Sequence, residues 1–235
     1  MLPSDPFPSG QLLLPDTPPE AVEAVGSGFS QIASLLVAVS VLLFLLSLRS
    51  FLNVLPYLAD SVLRARGSAA LENSVRVSRD RNFVAAVLLL PAILLAYRYR
   101  LYDIAFFDTL SPDFRILAVA GVFVAYLLLR YILYRWFEPQ RRREDYQMAY
   151  AGGFTFFILL MMLVLPTVGL LYVFGASDMT VKTFLLVETG IMYLLHLLRN
   201  AQILSGFCKP LTTFLYLCAL ELLPAAVVVL SAAIL

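Results

Sequence analysis

Six apolar runs dominate this chain, and each is long enough to cross a bilayer or nearly so. Spanning a hydrocarbon core takes about 20 residues, within a range of about 17–25. The runs are Ser30–Leu48, Phe83–Tyr97, Ile116–Phe137, Met148–Phe174, Thr183–Leu198 and Leu211–Leu235. Within lipid, only a helix satisfies every backbone N–H and C=O inside one segment, and the runs lack the alternation of barrel strands. Hydrophobic residues make up 61% of the 235 residues and charged residues 14%. A soluble domain is about 45–50% apolar and about 25% charged, so that class is excluded. The expected fold is all-α, a polytopic membrane protein of six transmembrane helices.

The cationic residues orient those helices. Arg49, Arg64, Arg66, Arg76, Arg79, Arg81, Arg135, Arg141, Arg142, Arg143, Arg199 and Lys209 fall on one side, whereas Arg98, Arg100, Arg115 and Lys182 fall on the other. The arginine-rich loops are therefore expected in the cytoplasm and both termini in the periplasm. The net charge of +1 provides no field to attract nucleic acid.

Two stretches are not simple spans. Residues 1–28 carry Pro3, Pro6, Pro8, Pro15, Pro18 and Pro19 and no Lys or Arg. They read as an extended external arm, with residues 29–235 as one transmembrane domain. After the first run, Phe51, Leu55, Leu58 and Val62 recur with helical spacing. That pattern suggests an amphipathic helix in the interface, with Arg64 and Arg66 near lipid phosphates. A packed extension of helix 1 would show the same spacing.

Four ionisable residues stand where lipid disfavours them. Glu221 lies about halfway along the last run, three residues before Pro224. A lone carboxylate there stays neutral unless paired, and a neutral one could donate to a free carbonyl in a neighbouring helix. Glu188 lies within the fifth run, with Arg98 or Arg100 as expected partners. His196, eight residues later, shares a similar face, and is expected to snorkel or bond locally. Arg130 lies five residues before Arg135, beside an aromatic belt of Tyr131, Tyr134 and Trp136. It can snorkel to the interface, or face inward toward Glu221 or an anionic head group.

Other signals are weaker. Gly152, Gly153 and Gly169 permit close helix approach. Cys208 and Cys218 read as reduced, buried small hydrophobes, and one His with two Cys makes no metal or haem ligand set. Asp103, Asp108 and Asp113 suit a turn in the loop between helices 2 and 3. No nucleophile elbow, phosphate loop, zinc-protease motif or dinucleotide fingerprint is present. No enzyme activity and no cofactor are expected.

The C-terminal residues carry a resemblance. Ile203–Phe207, followed by Phe214-Leu-Tyr-Leu-Cys-Ala-Leu-Glu-Leu-Leu-Pro224, resembles the C-terminal signature of a bacterial domain-of-unknown-function family. Tyr216, Cys218, Glu221 and Pro224 form its core. The resemblance implies a six-helix inner-membrane protein over most of the chain after residue 30. It singles out Glu221 and implies no activity.

The leading expectation is a non-enzymatic inner-membrane scaffold or accessory subunit of an envelope assembly. Membrane lipids, an integral-membrane partner or a second copy would be its neighbours. The alternative is a small proton-coupled transporter or channel using Glu221, with Glu188 and His196 lining the path. A shared water-accessible cavity would favour transport, and local hydrogen-bond caps would favour the scaffold. The scaffold reading also expects Glu221→Gln to be tolerated.

Overall fold

A computed structural model describes residues 31–63, 74–102, 110–137, 143–206 and 209–234. The N-terminal arm, Arg64, Arg66, Cys208, Asp103 and Asp108 lie outside the described residues. Every secondary-structure element among the described residues is a helix: α1 Gln31–Leu63, α2 Val75–Arg98, α3 Pro112–Trp136, α4 Arg143–Val173 and α5 Asp178–Ser205. A last helix, α6, runs through Pro210–Leu217, a π turn at Cys218–Leu222, and Leu223–Ile234. Six helices are long and apolar enough to cross a membrane, and the protein is a multi-pass helical membrane protein.

The helix ends follow local chemistry. The Ser74 hydroxyl caps α2 by accepting from the Val77 N–H at 3.5 Å, and the Ser177 hydroxyl caps α5 by accepting from Thr180 at 3.2 Å. Pro112 opens α3 and Pro210 opens α6, where a missing N–H is harmless. Asp113, expected in a turn of the loop between helices 2 and 3, sits instead in the first turn of α3, which Pro112 opens earlier than the apolar run begins. At the other end, α2 and α4 close alike. Leu101 N–H reaches back to Ala96 C=O and Ala176 N–H to Leu171 C=O, with Arg100 (φ 47°) and Gly175 (φ 67°) in the left-handed region. This is the Schellman arrangement.

One expectation is corrected in α1. The segment from Phe51 to Leu63 continues α1 without a break, although Pro56 lies inside it. It is an extension of helix 1 and not a separate interfacial helix. Val54 and Leu58 are fully buried there against Val84, Ala85 and Leu88 of α2 and Ile158 and Met161 of α4. At 1.5 Å per residue, the 33 residues of α1 extend about 50 Å, well beyond a hydrocarbon core.

Helices consecutive in the chain alternate in direction, so α2, α4 and α6 end on the side where α5 begins. Arg98, ending α2, meets Asp178, starting α5, and the Tyr102 hydroxyl lies 2.6 Å from that of Ser231 near the end of α6. α2 packs on α1, α3 and α4, whereas α6 packs on α3 and α5, and α5 on α4. The outer surface is apolar: Leu46, Leu117, Leu170, Leu198 and Val229 all point away from the bundle. In water such a surface would aggregate, and in lipid it is matched. Gly169 has nothing within contact distance of where a Cβ would sit, so it mediates no close approach among the described residues.

Candidate functional site

The polar interior gathers where α3, α4, α5 and α6 meet. Its centre is Glu221, 1% exposed, with Arg130, His196 and Asn200 also buried. An α-helix through residue 221 would run straight into Pro224, whose ring lacks an N–H and crowds the preceding turn. The chain widens instead. The Leu223 N–H bonds to Cys218 C=O, five residues back, which makes the π turn. Such single-turn bulges frequently occur at functional sites. The widened turn leaves carbonyls without helical partners, and the Tyr193 hydroxyl of α5 donates to the Glu221 carbonyl at 2.9 Å.

The side chain of Glu221 is an acceptor. Its Oε1 receives Arg130 Nη2 at 2.8 Å, the Tyr134 hydroxyl at 2.6 Å and Asn200 Nδ2 at 2.9 Å. Two of these donors come from α3 and one from α5, so a single oxygen ties three helices. The expectation of a neutral Glu221 donating to a neighbouring carbonyl is not met. At the backbone the direction is reversed: the Glu221 carbonyl accepts from the Tyr193 hydroxyl.

Arg130 faces inward, as the alternative reading had it, and does not snorkel. α4 provides the room. The guanidinium lies directly against Gly153, where any Cβ would overlap it. Nη2 also donates to the Tyr150 carbonyl at 3.3 Å. The rings of Tyr134 and Tyr150 flank the cation, with centroids 5.2 and 5.4 Å from Cζ, a cation–π arrangement that helps a buried Arg. Tyr134 therefore leaves the expected belt for the interior, whereas Tyr131 and Trp136 remain outward.

His196 bonds locally, as expected. Its Nε2 lies 3.2 Å from Asn200 Nδ2, one turn along α5, and 3.3 Å from Glu221 Oε2. These contacts exclude each other chemically. An unprotonated Nε2 accepts from Asn200, and a protonated one donates to Glu221. Glu221 Oε2, His196 Nδ1, Asn200 Oδ1 and Arg130 Nε are buried without hydrogen-bond partners among the described residues.

Glu188 is not drawn into this centre. Arg98, one of its expected partners, instead binds Asp178 through two contacts of 3.0 and 3.4 Å. The buried Oε2 of Glu188 has no hydrogen-bond partner among the described residues. Sequence reasoning missed Asn200, Tyr134, Tyr150 and Tyr193 as members of the site. The i,i+4 step from Arg130 to Tyr134 and from His196 to Asn200 was the available signal. It also missed Arg81, counted there as a loop charge, which is buried in α2 and bonded to Ser78 and Asn82. Cys218 is a free, half-buried thiol within the π turn. No group of three or more His, Cys, Asp or Glu able to hold a metal occurs among the described residues.

Fold and centre together define a multi-pass helical membrane protein built around a buried carboxylate–guanidinium pair. Residues 32–230 match the family model described as Domain of unknown function (DUF4271), and the chain belongs to that family. The expectation of a domain-of-unknown-function family is met at that level. Searches of curated proteins and of solved structures returned no match.

Proposed function

We propose that this protein is a non-enzymatic scaffold or accessory subunit in the inner membrane of a bacterium. Both termini then face the periplasm, and the Arg130–Glu221 centre lies in the cytoplasmic half of the bilayer. The lysine and arginine distribution supports that orientation. The observation that carries the reading is the use of Glu221 Oε1 as a three-donor acceptor joining α3, α5 and α6. Interhelical polar contacts in lipid hold helices together where apolar packing has no advantage over lipid tails. The cleft around Arg98 is not lined by Glu221. The test is purification from native membranes in mild detergent, with the mass and identity of everything that co-purifies. A stoichiometric integral-membrane partner supports the reading. A chain that runs alone, as monomer or homo-oligomer, moves it to the second one.

That second reading is proton-coupled transport. It is favoured by the two exclusive roles of His196 Nε2 and by the unpartnered oxygens of Glu221 and Glu188. Glu188 lies eight residues, about 12 Å, along α5 from His196.

A further inference from the structure

At the opposite end of the bundle from the last turn of α3, a cleft of about 400 Å³ opens between α1, α2 and the turn linking α4 to α5. Its floor is apolar, formed by Leu94 and Leu95 with the exposed Val37 at its side, and its rim carries Tyr172 and the Arg98–Asp178 pair. The depth of the cleft is set by the helices. Arg98 is the last residue of the α2 span and Asp178 the first of the α5 span. The rim therefore lies at the level of lipid head groups. The floor lies about one turn deeper, at the start of the acyl chains. The left-handed residues Arg100 and Gly175 turn the chain sharply just beyond α2 and α4, next to this opening.

The charges at the rim are accessible. The Arg98 and Asp178 side chains are 45% and 66% exposed, and Arg98 also rests 5.6 Å from the centroid of the Tyr99 ring. An exposed pair of this kind gains little from its own attraction, so both groups can exchange partners with a ligand. A guanidinium beside a carboxylate offers a fork of donors for a phosphate and an acceptor for an ammonium group.

We propose that this cleft binds one phospholipid with a phosphoethanolamine head. The phosphate lies on Arg98, the ammonium on Asp178, and an acyl chain over Val37, Leu94 and Leu95. The net-neutral ion pair matches a net-neutral head. A glycerol head would leave an uncompensated phosphate charge beside Asp178. A choline head cannot donate a hydrogen bond to that carboxylate.

The test uses the full chain in nanodiscs of equal parts phosphatidylethanolamine, phosphatidylcholine and phosphatidylglycerol, with retained lipid identified by native mass spectrometry after detergent extraction. Retention is expected to favour phosphatidylethanolamine. It should fall about tenfold in Arg98→Gln and in Asp178→Asn, the loss of one charge-assisted hydrogen bond. Both variants are expected to elute and unfold like the parent protein, because the pair is exposed. Bound lipid mirroring the bilayer, or retention unchanged in both variants, overturns the proposal. Soluble glycerophosphoethanolamine should leave the bound lipid in place. If it displaces the lipid, the site recognises a soluble phosphoethanolamine compound and the lipid assignment falls.

Discussion

Replacing Glu221 with Gln removes the charge that Arg130 was buried against. At the observed 2.8 Å separation, and an effective dielectric constant of about 20, the attraction is about 6 kcal/mol. Withdrawing the ions from water costs several kcal/mol each, so the intact pair is close to balanced. Losing one partner leaves the other charge without compensation, and that costs about 3–5 kcal/mol. The Gln amide still offers an oxygen to Tyr134 and Asn200, so most of the loss comes from Arg130. Arg130→Met should cost a similar amount, because it strands Glu221. The double variant, Arg130→Met with Glu221→Gln, holds no buried charge at this position and should recover to within about 2 kcal/mol of the parent protein. Reversible unfolding in micelles, followed by circular dichroism, measures all four corners of the cycle. Single variants within about 1 kcal/mol of the parent, or losses that simply add in the double variant, would refute the reasoning. The sequence alone favours tolerance of Gln, on the argument that its amide can donate. Glu221 acts as an acceptor for a cation, and that argument no longer holds.

Other outcomes follow from the same contacts. Gly153→Ala should displace the Arg130 guanidinium and cost about 1–3 kcal/mol. The adjacent Gly152→Ala, whose Cβ would make an ordinary 3.5 Å contact with Asn200 Oδ1, should be neutral or gain up to about 1 kcal/mol in thermal unfolding. Tyr134→Phe keeps the ring beside Arg130 but removes the 2.6 Å donor to Glu221, and should lose about 1.5–3 kcal/mol in the same micelle assay. Arg98→Gln, at an exposed ion pair, should change stability by less than about 1 kcal/mol.

The six spans were legible because lipid imposes one pattern on any spanning helix, and apolar runs display it directly. Their ends were not. Nothing in the composition of Phe51–Leu63 separates an interfacial helix from a packed extension of α1, since both need an apolar stripe. The burial of Val54 and Leu58 against α2 and α4 decides it. Glu221 was visible because a carboxylate in an apolar helix has no generic explanation. Arg130 was ambiguous for a physical reason. Its side chain is long enough to reach either the interface or the interior, and the choice depends on the space above Gly153, in another helix. Tyr134 was hidden by the general preference of Tyr for interfaces. The expected Glu188–Arg98 pair rested on similar depth alone, whereas Asp178, at the start of α5, meets Arg98 end to end. The π turn left no direct mark beyond the closeness of Glu221 to Pro224, because a bulge depends on the packing of the whole helix.

In the proposed scaffold the buried centre is a tie between helices and not a conduit. An unpartnered Glu221 Oε2 beside an imidazole with exclusive roles also describes a proton carrier, so the distinction is experimental. The most direct measurement is proton flux into liposomes containing the purified parent protein, compared with empty liposomes and with the Arg130→Met, Glu221→Gln double variant. A scaffold gives the same flux in all three. Flux above the empty-liposome rate in the parent protein, abolished in the folded double variant, would contradict it and make Glu221 the carrier carboxylate.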